Sequence, residues 1–177
     1  EGPCPERVLS RWPIRTSAGL VPANNRPGLA WAEIMLPRGE VITAVAVHVH
    51  RPTLGFAQHV TQVRGLIEFL NGIGTRTIVG GDFNVTPQST SYASITEQAG
   101  VLGWRWPLPS WPSVGALPPQ FGIDHVLVGP GLAIRAAGVG PHAGSDHRPI
   151  WARIALETSE PLRPPPATPS PVANHQT

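Results

Sequence analysis

Acidic and histidine side chains stand at the ends of three short apolar stretches of this sequence. Asp82 and Asn84 follow one stretch, Asp124 lies within a second, and Asp146 and His147 precede a third. Where strands of a sheet end, the loops converge on one rim, and catalytic side chains collect there. We therefore expect these five residues to share one site.

These residue types match what the hydrolysis of a phosphoester requires. A hard cation needs carboxylate ligands, which Asp146 can supply. A group must activate or orient water, as His147 can, and a partner such as Asp124 must hold its tautomer. Asn84 can donate to a phosphoryl oxygen. The chain thus contains the parts for metal-assisted hydrolysis.

A fourth candidate lies at the end of the β-branched stretch 41–49. His48 and His50 are two residues apart, so in a strand both side chains point to the same face. Either could donate to a phosphoryl oxygen, and we favour His48 because it lies deeper in the strand.

The elements around these residues predict a mixed α/β fold. An apolar stretch at 29–36 and the stretch 41–49 flank a turn and predict a hairpin, whose second strand is buried on both faces. Apolar residues recur at helical spacing over 55–72 and more weakly over 89–99. Residues 77–80 form a short strand between these two helices.

The remaining segments are shorter or irregular. Residues 1–28 are punctuated by proline and are predicted to be irregular, and the Trp- and Pro-rich stretch 101–121 is predicted to be a long loop. Three further strands are predicted at 122–128, 132–139 and 148–156.

Composition sets the class of protein. With 177 residues, 41% of them hydrophobic, the chain can form one domain with a core, and 22 Pro with 19 Gly favour loops. The formal net charge is +2, lysine is absent, and no dense basic stripe indicates nucleic-acid binding. The single Cys4 excludes an internal disulfide. We expect no signal peptide and no membrane segment in this chain, which leaves the compartment open.

Three motifs resemble those of the endonuclease/exonuclease/phosphatase superfamily. Residues 79–87 (VGGDFNVTP) resemble its GDFN signature, residues 123–128 (IDHVLV) its IDH strand, and residues 144–150 (GSDHRPI) its SDHRP signature. They occur in the family's order. Residues 46–52 resemble its strand with a transition-state histidine, and residues 9–14 resemble its SR-x-PI segment.

The resemblance covers residues 8–156 and implies a fold like that of deoxyribonuclease I. This is a two-layer β-sandwich flanked by helices, here expected to lack its first strands. We expect one domain over 1–158, followed by a Pro-rich disordered tail over 159–177. The implied activity is metal-dependent hydrolysis of a phosphoester by a phosphodiesterase, nuclease or phosphatase, in a chain expected to be a monomer.

The resemblance also implies roles on the substrate side. Asp82 would act beside the scissile phosphate on the nucleophile or leaving group, while Asn84 and His48 would bind phosphoryl oxygens. Trp111 would line a substrate cleft, although core packing explains that residue equally well. The implied substrate is a phosphoester, with nucleic acid among the classes the family hydrolyses, and the sequence does not choose among those classes.

The remaining implied roles concern water and metal. His147 would orient or deprotonate water with Asp124 holding its imidazole, and Asp146 would contribute to an Mg²⁺ (or Mn²⁺) site. Members of the family also carry a metal-binding Glu upstream of the SR-x-PI segment, and Glu6 has no strand context that would make it this ligand. The alternative is therefore a truncated or inactive relative that acts as a binding module or as a fragment of a longer chain.

Structural explanations compete with each assignment. Asp82 with Asn84 could cap a turn, and Asp146 with His147 could be a solvated loop pair. Asp124 is harder to explain away, because a buried carboxylate needs a partner. Other residues are expected to be structural: His125 faces away from Asp124, His59 and His142 lie on the surface, and Trp31, Trp104, Trp106 and Trp151 pack in the core.

Overall fold

The computed structural model describes residues 6–74 and 76–157. The elements in chain order are β1 Ile14–Leu20, β2 Gly28–Met35, β3 Val41–His48, α1 Phe56–Gly72, β4 Thr77–Asp82, α2 Thr90–Gln98, β5 Leu102–Gly103, β6 Asp124–Val128, β7 Leu132–Val139 and β8 Ile150–Leu156. The tail expected over 159–177 lies outside the described residues.

The strands form two sheets. Six of them make one sheet in the order β1-β2-β3-β4-β6-β5, and β7 pairs with β8 in a second sheet. Strands β3 and β4 are parallel, whereas the other neighbours are antiparallel. A parallel pair needs a crossover between its strands, and α1 supplies it.

The core explains why β3 is almost wholly apolar. Val45 and Val47 pack with Leu66 of α1 in one buried cluster. Ile42 belongs to a separate cluster with Ile154 of β8 packed against it. The larger sheet is therefore covered by helices on one face and by β7–β8 on the other. This arrangement confirms the predicted α/β fold with a β-sandwich flanked by helices, and each fully buried aliphatic side chain contributes about 1.5–3 kcal/mol.

The prediction that residues 1–28 are irregular was wrong for Ile14–Leu20. This segment is β1, an edge strand paired antiparallel with β2, and nearly all of it is exposed. No apolar alternation reveals such a strand, because backbone pairing rather than side-chain burial holds it in place. The predicted loop 101–121 likewise contains the two-residue strand β5 at the opposite edge.

Three side chains lie elsewhere than their sequence context suggests. His59 is buried, with 1% of its surface exposed, and its ring nitrogens contact the carbonyl oxygen of His50 at 2.8 Å and the hydroxyl of Ser91 at 3.0 Å. The surface position expected for it was wrong, because these two partners satisfy the ring inside the protein. Trp106 and Trp151, expected in the core, are 61% and 49% exposed.

The helices are short relative to a bilayer. Among the helices of residues 6–74 and 76–157, none combines the length and the apolar character that a membrane crossing requires.

Candidate active site

The register of the larger sheet places three candidate residues side by side. His48 ends β3, Asp82 ends β4, and Asp124 begins β6. His48 is the register partner of Asp82 across the parallel pair, and Asp82 is the partner of Asp124 across the antiparallel pair. Because β6 runs against β3 and β4, its first residue lies at the edge where the other two strands end.

His147 joins this group from the loop before β8. Its Nδ1 lies 2.8 Å from Oδ2 of Asp124, and the same oxygen accepts a 2.5 Å hydrogen bond from Oγ of Ser110. An ionised carboxylate only accepts hydrogen bonds, so Nδ1 carries the proton. The lone pair of the neutral imidazole therefore lies on Nε2, which is 3.9 Å from Oδ2 of Asp82. An imidazole held in this way can act chemically as a general base.

Asp82 lies in an environment that disfavours its charge. Burial raises the pKa of its carboxyl, and the negative charge of Asp124 raises it further. The 2.8 Å hydrogen bond from the backbone N–H of Asn84 opposes this effect, as do His147 and His48. The result is a pKa above the usual value for aspartate.

The turn after β4 is built from residues with unusual backbones. Gly81 has φ of +150°, and a Cβ there would lie 1.9 Å from the carbonyl oxygen of Val47, so only glycine fits. Asn84 has φ of +53°, a region that asparagine tolerates. Its Nδ2 donates to the carbonyl of Val49 at 2.9 Å and to Oδ2 of Asp82 at 3.1 Å. The GDFN stretch thus fixes the Asp82 carboxylate through both side chain and backbone.

The structure separates the two candidate histidines of the 41–50 region. Nε2 of His48 lies 3.7 Å from Oδ2 of Asp82, whereas Nε2 of His50 is buried and has no hydrogen-bond partner among the described residues. Nδ1 of His48 also lies 3.9 Å from Oε1 of Glu6. A Cβ at Gly28 would come within 2.8 Å of the Glu6 carboxylate, so that glycine makes room for it. Sequence reasoning set Glu6 aside, yet it lies beside the site.

Asp146 is exposed and outside the central group. Asp82, Asp124 and His147 each offer a ligand atom within 4.8 Å of the others, and this set could hold a metal ion. The carboxylate of Asp146 instead accepts a 3.3 Å hydrogen bond from Nε1 of Trp111, whose ring centroid lies 6.4 Å from that of His147. The role of Asp146 as a metal ligand stays a prediction.

His125 has a structural environment, as its position in the sequence predicted. It is buried, its Nε2 lies 2.7 Å from the carbonyl oxygen of Val85, and its ring packs against Phe83 and Tyr92. Burial lowers the pKa of this imidazole, so it stays neutral.

Several solved structures have the same fold. An endonuclease/exonuclease/phosphatase from Bacteroides vulgatus matches with a TM-score of 0.70 and 20% identity, over 82% of this chain and 66% of that chain. Sphingomyelinase C from Streptomyces griseocarneus matches with a TM-score of 0.59 and 19% identity, over 85% of this chain and 66% of that chain. D. rerio TDP2, in complex with a single-strand DNA product, matches with a TM-score of 0.64 and 14% identity, over 81% of this chain and 68% of that chain. The chain thus spans about two-thirds of these proteins.

Comparison with curated protein sequences finds no match. The model of the Endonuclease/Exonuclease/phosphatase family, by contrast, matches residues 7–147, which include every strand of the larger sheet and the His147–Asp124 pair. Enzymes of this family hydrolyse phosphoester bonds and generally depend on a divalent metal. The match covers most of the chain, and the chain therefore belongs to the endonuclease/exonuclease/phosphatase family.

Proposed function

We propose that this chain hydrolyses a phosphoester with water that His147 activates. The observation that carries the proposal is the 2.8 Å contact between Nδ1 of His147 and Oδ2 of Asp124, with Nε2 facing Asp82. Water gives a proton to Nε2 as its oxygen bonds to phosphorus, and the ester P–O bond breaks with its electron pair on the leaving oxygen, which takes a proton from solvent and departs as the alcohol. Asp124 stabilises the imidazolium that forms.

Asp124 is suited to this role because its own position is fixed. The hydroxyl of Ser110, fully buried, donates to the oxygen that holds His147. With two donors on one oxygen, the carboxylate cannot rotate freely, and the imidazole it holds keeps its orientation. A base held in place contributes typically about 10²–10⁴-fold to a rate.

The phosphoryl group would lie among Asp82, Asn84 and His48. His48 is half-exposed and lies 3.7 Å from Oδ2 of Asp82, so its ring can donate to a phosphoryl oxygen while staying near the carboxylate. Asn84 donates to Asp82 at 3.1 Å and would share that hydrogen with the phosphate. Asp82, with its raised pKa, acts on the nucleophile or the leaving group.

The acidic residues fit a divalent cation. Asp146 offers an exposed carboxylate, and Asp82 belongs with Asp124 and His147 to a group whose ligand atoms all lie within 4.8 Å of one another. Oxygen ligands of this kind suit Mg²⁺, and Mn²⁺ also accepts them. When bound, such a cation neutralises negative charge on the phosphoryl oxygens.

The same hydrolytic chemistry can act on several classes of phosphoester substrate. One structural neighbour is a sphingomyelinase and another holds a DNA product, so the same fold accommodates a lipid phosphodiester and a nucleic acid. We propose a phosphoester substrate, with nucleic acid as one candidate class, and a chain that acts as a monomer.

The test is hydrolysis of an aryl phosphodiester and an aryl phosphomonoester by the purified chain, with Mg²⁺, Mn²⁺ or EDTA. His147→Ala should remove the metal-dependent turnover. His142→Ala is the matched control, because His142 is an exposed histidine of the same loop region, whose Nδ1 lies 3.2 Å from the hydroxyl of Ser113. Absence of turnover in a folded sample would overturn the proposal and favour a family member that binds without hydrolysis.

A further inference from the structure

The buried stripe of α1 is polar at its N-terminal end and apolar beyond it. It begins with His59 and Gln62, which are 1% and 2% exposed, and its later members are Val63, Leu66, Ile67 and Leu70. A buried polar side chain costs stability unless it finds hydrogen-bond partners. The proposed chemistry uses neither His59 nor Gln62, so their role must be sought in the groups that they contact.

Gln62 holds the segment that follows β3. Its Nε2 donates to the carbonyl oxygen of Ala23 at 2.9 Å, and its Oε1 accepts the backbone N–H of His50 at 2.9 Å. These contacts fix the orientation of the amide, because only Nε2 can donate and only Oε1 can accept. Ala23 is itself held in a turn, where its backbone N–H and carbonyl pair with the backbone of Arg26. The oxygen of Gln62 therefore has a defined position at the end of β3.

The N–H of His50 and the carbonyl of Val49 belong to the same peptide group. That carbonyl accepts a 2.9 Å hydrogen bond from Nδ2 of Asn84, and the same Nδ2 donates to Oδ2 of Asp82 at 3.1 Å. A continuous chain of hydrogen bonds thus runs from Gln62 through this peptide to Asn84 and Asp82. Because a peptide group is planar, an acceptor that fixes its N–H also fixes the direction of its C=O.

His59 fixes the next peptide group in the same way. Its Nδ1 lies 2.8 Å from the carbonyl oxygen of His50, which can only accept, so Nδ1 carries the proton. Nε2 then accepts from the hydroxyl of Ser91 at 3.0 Å. His59 and Gln62 are three residues apart and lie on one face of the helix. Helix α1 therefore holds two consecutive peptide groups of the segment between Val49 and residue 51.

The amide of Asn84 depends on this support because its two partners differ in kind. The carboxylate of Asp82 takes part in the proposed chemistry, so its contacts change during the reaction. The carbonyl of Val49 takes no part and is the constant reference for the orientation of the amide. An acceptor held on its far side by a buried side chain keeps that reference in place.

We infer that Gln62 is a positioning residue for Asn84. It holds the peptide between Val49 and His50, and this peptide keeps the Asn84 amide directed at the phosphoryl oxygen. The inference rests on the proposed function, in which Asn84 donates to the phosphate, and adds to it a residue that touches neither the substrate nor the reacting atoms.

The first test is a double-mutant cycle between Gln62 and Asn84. Gln62→Met replaces the amide with a flexible apolar side chain, and Asn84→Gly removes the other amide at a φ of +53° that glycine adopts readily. Gln62→Met alone should lower kcat for the aryl phosphodiester about tenfold and leave KM nearly unchanged, because a misaligned donor is lost in the transition state. In the Asn84→Gly background, the same change should have no further effect on kcat. An equal fall in both backgrounds would mean that Gln62 acts on the fold and not through Asn84.

Thr77→Val is the matched control for the loss of a buried hydrogen bond. Thr77 is 3% exposed, and its hydroxyl donates to the carbonyl of Gly74 at 3.0 Å. It begins β4, the strand that ends at Asp82. The variant should lose stability in urea, as Gln62→Met should, but keep the kcat of wild type. If Gln62→Met does not fold, Gln62→Asn takes its place, because the shorter side chain cannot reach both of its partners.

The second test does not depend on activity. The side-chain amide signals of Asn84 in proton–nitrogen NMR spectra are identified by their absence in Asn84→Gly. Their exchange with water should be about three- to tenfold faster in Gln62→Met than in wild type, and unchanged in Thr77→Val. Unchanged exchange in Gln62→Met would overturn the inference even if no substrate were hydrolysed. Faster exchange without hydrolysis of any substrate would support the positioning of Asn84 and overturn the proposed function instead.

Discussion

Asp82 and Asp124 are register partners across the antiparallel strands β4 and β6. The sheet therefore holds two carboxylates side by side in a partly buried position. Burial raises the pKa of Asp82, and the like charge of Asp124 adds to this. The pair is tolerated because hydrogen bonds from Ser110, Asn84 and His147 hold the carboxylate oxygens.

Asp82→Asn should change how stability depends on pH. A carboxyl whose pKa is higher in the folded state than in the unfolded state binds more protons when folded, so its contribution to stability falls as pH rises from the unfolded pKa through the folded one. Without that group, the variant should gain stability relative to wild type as pH rises from about 4 to about 8. Urea unfolding in EDTA at both pH values measures the free energy of unfolding of the variant minus that of wild type. If this difference is not more positive at the higher pH, the raised pKa of Asp82 is contradicted.

Ser110→Ala should reduce activity without removing it. Asp124 would keep His147 as a donor but lose its 2.5 Å bond from Ser110, so the imidazole would be less well oriented. We expect kcat to fall about tenfold, against about 10²–10⁴-fold for Asp124→Asn. Steady-state kinetics at saturating metal measure both. Val114→Ala, in the same loop and 56% exposed, is the control, and an equal effect there would show that the loss comes from the loop.

Much of the fold and the site was predictable because it follows short-range patterns. The β-branched run of β3 and the helical spacing of α1 reflect burial, and both elements lie within one residue of their predicted ends. Strand β1 lacks such a pattern because it is an exposed edge. Ser110 and Glu6 could not be predicted, because their partners, Asp124 and His48, are distant in sequence and meet them only through the folded loops.

Gly81→Ala should disrupt the turn that carries Asp82. A Cβ at this position would overlap the carbonyl oxygen of Val47, and φ of +150° is unfavourable for alanine. We expect a loss of at least about 3 kcal/mol in the free energy of unfolding, measured by urea denaturation. Gly80→Ala is the matched control, since its Cβ would lie 3.9 Å from the nearest atom, the carbonyl oxygen of His125. Similar losses in both variants would mean that strand β4, rather than the Gly81 backbone, determines the effect.

The metal-binding side chains around the ends of strands β4 and β6 offer two ways to hold a metal ion. One is the group of Asp82, Asp124 and His147, but there Oδ2 of Asp124 already accepts two hydrogen bonds, and an imidazole ligand suits Mn²⁺ better than Mg²⁺. The other uses the exposed carboxylate of Asp146 and leaves His147 free as the base. Glu6 lies beside His48 and is expected to position that ring instead.

Asp146→Asn should therefore raise the Mg²⁺ concentration that gives half-maximal activity by about tenfold or more, because a neutral amide replaces an anionic ligand. Glu6→Gln should leave that concentration unchanged and lower kcat, since its contact is to His48 at 3.9 Å. Titration of each variant with Mg²⁺ and with Mn²⁺ separates the two effects.

If Asp146→Asn changes neither titration and wild type works far better with Mn²⁺ than with Mg²⁺, the ion is held by His147 with Asp82 and Asp124, and His147 is not the base. If Glu6→Gln shifts the Mg²⁺ titration, Glu6 is itself a ligand and takes the place of the upstream glutamate that the family resemblance implies.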